Sequence, residues 1–408
     1  MTARTFVELT PPHPLRGGYD RTLAAGSIDD SFQRRLEPDR FNPAYFTALT
    51  HRIRKALTKA PDAERLRWQL AFLLLQNNAT PAAVEEAGNL LTANAHPPAR
   101  RLQDLIAGIR ARAHTPQTWR RVTRVNWSIN NRCPMACQGC YNPFVTEQVT
   151  LSQAMAITDK LAAHGVTDLV LAGGDPLLWP PVFDVIHHAT THGIKVALDT
   201  TGYTLTADTL ERLRPLASLR LPLDGVTPAV QREFRRNPDR NLVSALKQSL
   251  DLCDAADFDK VRVHTVASAA NLHELPDIAE EVMSHPSVAQ WVIFQWWGRR
   301  ASPDAVRRLA VSTSHFRAAA THLLTAYPDR EVILAEAADR ELLNWMIQSS
   351  GQVVTFAAGR EEEFILGNLL TDSVEDILAH PILDFEAMAR GVPVTPIGSR
   401  RKDQTHPY

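Results

Sequence analysis

Cysteine is scarce in this chain, with four residues in 408. So few exclude the disulfide framework of a small secreted domain. Neither sign of charge dominates: 44 Lys plus Arg stand against 45 Asp plus Glu. That balance gives no reason to expect a nucleic-acid or anionic-membrane partner. Long hydrophobic runs are missing as well. The longest, Leu70 to Leu75, is far too short to span a bilayer. The amino terminus, MTARTFVELTPPHPLRGG, has no apolar segment of the secretory kind. These absences predict a cytoplasmic protein that keeps its thiols reduced. The length is enough for a sizeable core and more than one domain.

What cysteine there is lies in one place. Cys133, Cys137 and Cys140 fall within eight residues, in the stretch NNRCPMACQGCYNPF (130–144), at C-x3-C-x2-C spacing. Three thiolates so close in a loop can grip one face of an iron–sulfur cluster. A cubane has four irons, so one iron stays open to a small molecule. The competing reading is a zinc site. Structural zinc wants four closed N/S ligands, and the only C-x2-C here, Cys137 and Cys140, has no second pair to complete it.

The cysteine spacing resembles the signature of radical S-adenosylmethionine (SAM) enzymes. A second motif strengthens the resemblance. Ala172-Gly173-Gly174-Asp175-Pro176 follows one helix and one strand later, where that family carries a Gly-Gly-Glu-Pro loop for the SAM amino group. Asp replaces Glu here. The family's aromatic residue before the third cysteine is replaced by Gly139, and an aromatic follows instead as Tyr141. The resemblance implies a [4Fe–4S] cluster on Cys133, Cys137 and Cys140, with S-adenosyl-L-methionine on the open iron. It also implies SAM contacts from Gly173, Gly174, Asp175 and Tyr141, and from Thr200, Thr201 and Gly202 near the ribose. A Thr-Thr-Gly string is by itself a common turn.

Along the chain, residues 1–40 are rich in Pro, Gly and Arg without periodicity and predict a flexible leader. From 41 to 115 the period is helical. Leu66, Leu70, Leu73 and Leu74 share a face, as do Val84, Ala87 and Leu91, and Leu102, Leu105, Ile106 and Ile109. About four helices are expected. Seven Arg and one Asp between Pro97 and Arg124 read as a solvated face and linker, or as a dock for an acidic peptide. Over 122–300, strands and helices alternate, which predicts a parallel α/β sheet. The strands are placed at Val125–Ile129, Asp168–Leu171, Lys195–Leu198, Leu219–Leu223, Val261–Val266 and Trp291–Phe294. The resemblance makes this a partial (β/α)6 barrel. Each motif falls where a strand stops, which is where parallel α/β folds gather their ligands.

Leu221-Pro222-Leu223-Asp224-Gly225 resembles the family's Ser-Leu-Asp-Gly segment, with Pro222 in place of Ser. Asp224 is expected near the cavity floor or in a salt link with an Arg. His264 and Gln295 point into the barrel or are satisfied core polar groups; Trp296 and Trp297 line a pocket or cap a flank. Cys253 reads as a small buried hydrophobe. After Arg300 a helix is expected from Thr313 to about Tyr327. Residues 301–390 form an α+β extension, and Val353–Leu378 resembles the close of the SPASM or twitch region of peptide-modifying relatives without its cysteines. Residues 391–408 read as a polar tail.

The resemblance implies reductive cleavage of SAM to a 5′-deoxyadenosyl radical that takes a hydrogen atom from a peptide or small-molecule substrate. It implies an external electron donor of the flavodoxin or ferredoxin kind. Two other readings compete. CQGCYN also looks like the cluster loop of glycyl-radical-enzyme activases, and an inactive barrel with a helical binding module is the third.

Overall fold

A computed structural model describes residues 43–76, 79–112, 122–140, 142, 148–237, 242–298, 301–327, 330–337, 345–357, 362–383 and 385. The expected leader and tail, and Tyr141, lie outside the described residues.

Helices α1 (Pro43–Leu57), α2 (Glu64–Leu74), α3 (Pro81–Leu91) and α4 (Pro97–Arg112) form the amino-terminal helical layer. The faces read from the sequence are the buried ones: Leu66, Leu70 and Leu73 on α2, Val84, Ala87 and Leu91 on α3, Leu102, Ile106 and Ile109 on α4. The start of α3 has a local cause. Pro81 presets the first turn, and the Thr80 hydroxyl accepts the Ala83 N–H.

The alternating region then follows. In chain order it contains β1 (Arg124–Asn130), β2 (Ala136–Cys137), α5 (Leu151–His164), β3 (Asp168–Gly173), α6 (Val182–Thr191), β4 (Lys195–Asp199), α7 (Ala207–Arg212) and β5 (Ser218–Pro222). After these come α8 (Pro228–Phe234), β6 (Arg235–Arg236), α9 (Leu242–Ala255), β7 (Val261–Ala267), α10 (Leu275–Ser284) and β8 (Val288–Gln295). Strands β1, β3, β4, β5, β7 and β8 pair in that order, every pair parallel. This is the parallel α/β sheet that the alternation predicts, in the mixed α/β architecture of the partial barrel that the resemblance implies.

Alternate strand residues turn to opposite faces. Leu169, Leu171, Val196, Leu198, Leu219, Leu221, Val261, Val263, Trp291 and Ile293 join the main apolar core. The other parity carries polar groups such as Arg220, Arg262 and His264. Arg220 reaches Asp199 at 3.0 Å on the neighbouring strand.

After residue 301 come α11 (Pro303–Leu309), α12 (Thr313–Ala320), α13 (Leu323–Ala326), β9 (Glu331–Ala335), β10 (Met346–Ile347), β11 (Gln352–Ala357), β12 (Glu362–Asn368) and α14 (Val374–Leu378). The single helix expected over 313–327 is therefore two, broken at Thr321–His322. This segment continues the barrel sheet rather than standing beside it. β9 pairs parallel to β8, β10 parallel to β1, and β11 and β12 run on antiparallel from β10, giving ten strands among the described residues. The helical layer docks on the far end. Gln76 Oε1 accepts the Ile365 N–H at 2.8 Å, and the Phe72 and Phe364 rings lie 5.2 Å apart. No helix among the described residues is long and apolar enough to cross a membrane.

Candidate functional site

The cysteine loop leaves the carboxyl end of β1 and is pinned on both sides. On one side, short strand β2 pairs antiparallel with β6, placing Cys137 opposite Arg235. The Gln138 N–H donates to the Phe234 carbonyl at 2.9 Å, and Trp296 Nε1 donates to the Gln138 carbonyl at 3.2 Å. On the other side, the turn after β3 is pressed against residues 130–132. The Gly174 and Asp175 N–H groups donate to the carbonyls of Asn130 and Arg132 at 2.5 and 2.6 Å. Asn130 Nδ2 answers with a 2.7 Å bond to the Asp175 carbonyl. A Cβ on Gly173 would stand 2.3 Å from the Asn130 carbonyl oxygen, and one on Gly174 2.2 Å from that of Arg132. The glycine pair is required because two backbones meet there. The structure thus brings together the two motifs that the sequence holds apart by a helix and a strand.

All four cysteines are free thiols. Cys133 is buried beside Met135, Tyr203 and Leu246, and its sulfur accepts the Met135 N–H at 3.4 Å. Cys137 accepts a hydrogen bond from Arg235 Nη1 at 3.6 Å. Burial holds the Cys133 thiol well above its ordinary 9. Burial also pushes Cys137 up to about 12, against the pull of the Arg235 guanidinium. Thiols in such a place hold their protons until a bound cation replaces them.

The donor set fits a cluster better than a single ion. Among the described residues, the one group of His, Cys, Asp or Glu with three ligand atoms all within 4.8 Å of one another is Asp159, His188 and His192. The three cysteine sulfurs are spread wider. One tetrahedral zinc, with Zn–S bonds of about 2.3 Å, would draw its sulfurs closer than that. In a cubane each thiolate takes its own iron.

Asp175 is wholly buried at the amino end of the short 3₁₀ turn Pro176–Leu178. Its Oδ1 accepts from Thr200 Oγ1 at 2.7 Å and from the Leu177 N–H at 3.2 Å. Its Oδ2 accepts from the Thr201 N–H at 3.3 Å and from the Thr201 hydroxyl. Burial raises this carboxyl above its ordinary 3.8, while these bonds hold it down. The structure brings Asp175 together with Thr200 and Thr201, through hydrogen bonds among themselves. Each threonine hydroxyl gives its proton to Asp175 and accepts a backbone N–H, from Gly202 or Tyr203. As placed, neither has a proton left for a ribose; each keeps lone-pair capacity to accept one. Gly202, at φ +71°, is held by Ser249 Oγ on its carbonyl at 2.8 Å.

Asp224 makes the salt link foreseen for it. Arg235 Nε donates to Oδ2 at 2.8 Å, and the Val266 N–H donates to Oδ1 at 2.8 Å. Arg235 so bridges a buried carboxylate to the Cys137 sulfur. Sequence reading missed this arginine; its signal was the Arg235-Arg236 pair ten residues after Asp224-Gly225. Gln295 is a packing residue. Its amide holds the Val311 carbonyl at 2.9 Å and the Ala337 N–H at 3.0 Å. His264 stands edge-on to Phe294 at 5.1 Å. Burial lowers its pKa to about 3, with Asp199 opposing and Arg220, Arg262 and Arg124 adding to the effect. It is a neutral imidazole at ordinary pH. Cys253 is fully buried in the main core, away from the loop's cluster of side chains.

Residues 127–282 match the family model described as the Radical SAM superfamily. An AdoMet-dependent heme synthase of Methanosarcina barkeri is 28% identical over 179 residues, 42% of this chain and 50% of its own. A PqqA peptide cyclase of Bradyrhizobium diazoefficiens is 27% identical over 162 residues, 37% of this chain and 41% of its own. The chain thus spans half or less of the length of these relatives. The fold is also that of Streptococcus suis SuiB bound to precursor peptide SuiA, at TM-score 0.50 and 12% identity over 83% of this chain and 84% of that one.

Proposed function

Because this chain belongs to the radical SAM superfamily of enzymes through residues 127–282, we propose that it cleaves S-adenosylmethionine to start a hydrogen-atom abstraction on a peptide substrate. Cys133, Cys137 and Cys140 are the residues that would hold the family's [4Fe–4S] cluster. The observation that carries this is the docking of the cysteine loop on the Gly173–Asp175 turn at the carboxyl ends of β1 and β3. When bound, the cluster and SAM supply the electron transfer and the radical, which no side chain can supply.

The chain's own residues do the rest. Thr200, Thr201 and the Leu177 N–H fix the Asp175 carboxyl at the wall of the site. Asp175 is the group we assign to the SAM amine, at the price of one of its present donors. Arg235 holds positive charge beside Cys137 and is itself held by Asp224. Trp296, Phe234 and Met135 shield the loop from water, which a radical reaction requires. An external flavodoxin- or ferredoxin-like protein would provide the electron.

A peptide substrate is supported by the likeness to PqqA peptide cyclase, and a small metabolite is the second reading, supported by the likeness to a heme synthase. The segment after residue 301 is read as a cysteine-free counterpart of the SPASM or twitch extension, since the chain holds four cysteines in all. The test is anaerobic. The reconstituted protein, given SAM and a strong reductant, should form 5′-deoxyadenosine, and Cys137→Ala should not. Candidate peptides should raise the rate. Equal yields from both proteins would refute the assignment.

A further inference from the structure

Outside the cysteine loop, one side-chain cluster among the described residues has the composition and convergence of a metal site. His188 lies on α6, and His192 caps the carboxyl end of that helix four residues later. Asp159 comes from the neighbouring helix α5. Both imidazoles aim Nε2 at the same carboxylate oxygen, Asp159 Oδ1, at 2.6 and 3.2 Å. The two rings stand edge to face with centroids 4.7 Å apart. All three ligand atoms lie within 4.8 Å of one another.

Histidines four apart on a helix present two nitrogens on one face, the arrangement that helical zinc sites use. The alternative reading is a hydrogen-bonded His–Asp pair, for which one histidine is enough. Here two imidazoles from one helix converge on one oxygen from another. A cation placed among them would replace both N–H donors and leave three ligands in place.

We propose that Asp159, His188 and His192 bind a divalent transition ion of zinc's class. Two imidazoles and one carboxylate select Zn²⁺, Co²⁺ or Ni²⁺ over Mg²⁺ and Ca²⁺, which want all-oxygen shells. The side chains are partly open to solvent, at 55, 26 and 41% for Asp159, His188 and His192. Water can therefore complete the coordination, as in three-ligand zinc sites. The site's place gives it a consequence. Helix α5 leads into β3 and α6 leads out of it, and β3 ends in the Gly173–Asp175 turn. An ion there staples together the two helices that bracket the strand. The proposal does not depend on the radical reading, because no cysteine takes part.

The experiment uses the untagged full-length chain with its cluster loaded, so that iron occupies the thiols. Zn²⁺ is titrated calorimetrically, and thermal midpoints are read with and without the ion. One site per chain is expected, with a higher midpoint when it is filled. In His188→Ala/His192→Ala the affinity should fall more than about tenfold, the loss that even outer-shell partners cause, and the zinc-dependent rise should vanish. Asp159→Asn should weaken binding without abolishing it. Iron content should be unchanged in all variants, which confirms that they fold. No binding by the parent chain, or equal binding by the double variant, would overturn the proposal.

Discussion

Asp175 is the residue whose environment departs most from its sequence reading. A carboxylate expected to face a ligand is buried, and four protein donors already share its two oxygens. Its pKa is raised above 3.8 mainly by burial. A carboxyl so raised contributes stability below the unfolded value, and that contribution is lost as pH climbs through the folded value. The penalty of Asp175→Asn, measured by urea unfolding, should therefore shrink as pH rises above 3.8. A penalty that grows with pH would mean that the four donors outweigh burial. Arg235, which sequence reading did not single out, carries the second prediction at this scale. Removing one partner of a buried ion pair costs about 3–5 kcal/mol. Arg235→Met should approach that loss, since it strands Asp224, whose side chain is fully buried. Cys253→Ala should leave iron content at the parent level, because Cys253 lies in the main core.

At the scale of elements, the site depends on two small devices. One is the pair β2–β6, two residues a side, which fastens the loop to the end of α8. The other is the glycine turn against residues 130–132. Alanine at Gly173 or Gly174 would place a methyl within 2.3 Å of a carbonyl oxygen. Overpacking of this kind costs about 1–3 kcal/mol, and at Gly173 the backbone φ of +130° adds strain. Both variants should melt earlier and retain less iron than the parent, by absorbance and iron assay.

These elements also mark what was legible beforehand. The six parallel strands were readable because Val, Ile and Leu runs such as Asp168–Leu171 end at turn residues. The pairing of Ala136-Cys137 with Arg235-Arg236 was not, because a two-residue strand has no period to detect. Nor was the partnership of Thr200 and Thr201 with Asp175. It depends on two strand ends being neighbours, which only the sheet order β3-β4 provides.

Over the whole molecule, the barrel does not end at β8. Strands from after residue 301 extend both of its edges, and the helical layer seals the farthest one through Phe72 and Gln76. The amphipathic faces of the helices were legible; their destination was not, since a face names no partner. Phe72→Ala removes a ring buried against Phe364, and such truncations cost about 3–5 kcal/mol. Limited proteolysis should then release the segment before residue 113 faster than in the parent. An unchanged cleavage pattern would mean that the two parts are joined elsewhere.

The central claim is that three cysteines hold a cluster with one iron left open for SAM. Low-temperature electron paramagnetic resonance of the reduced, reconstituted protein tests it most directly. The account predicts a reduced [4Fe–4S] signal that changes shape when SAM is added and is absent in Cys137→Ala. A signal indifferent to SAM, or one that survives loss of Cys137, would contradict it.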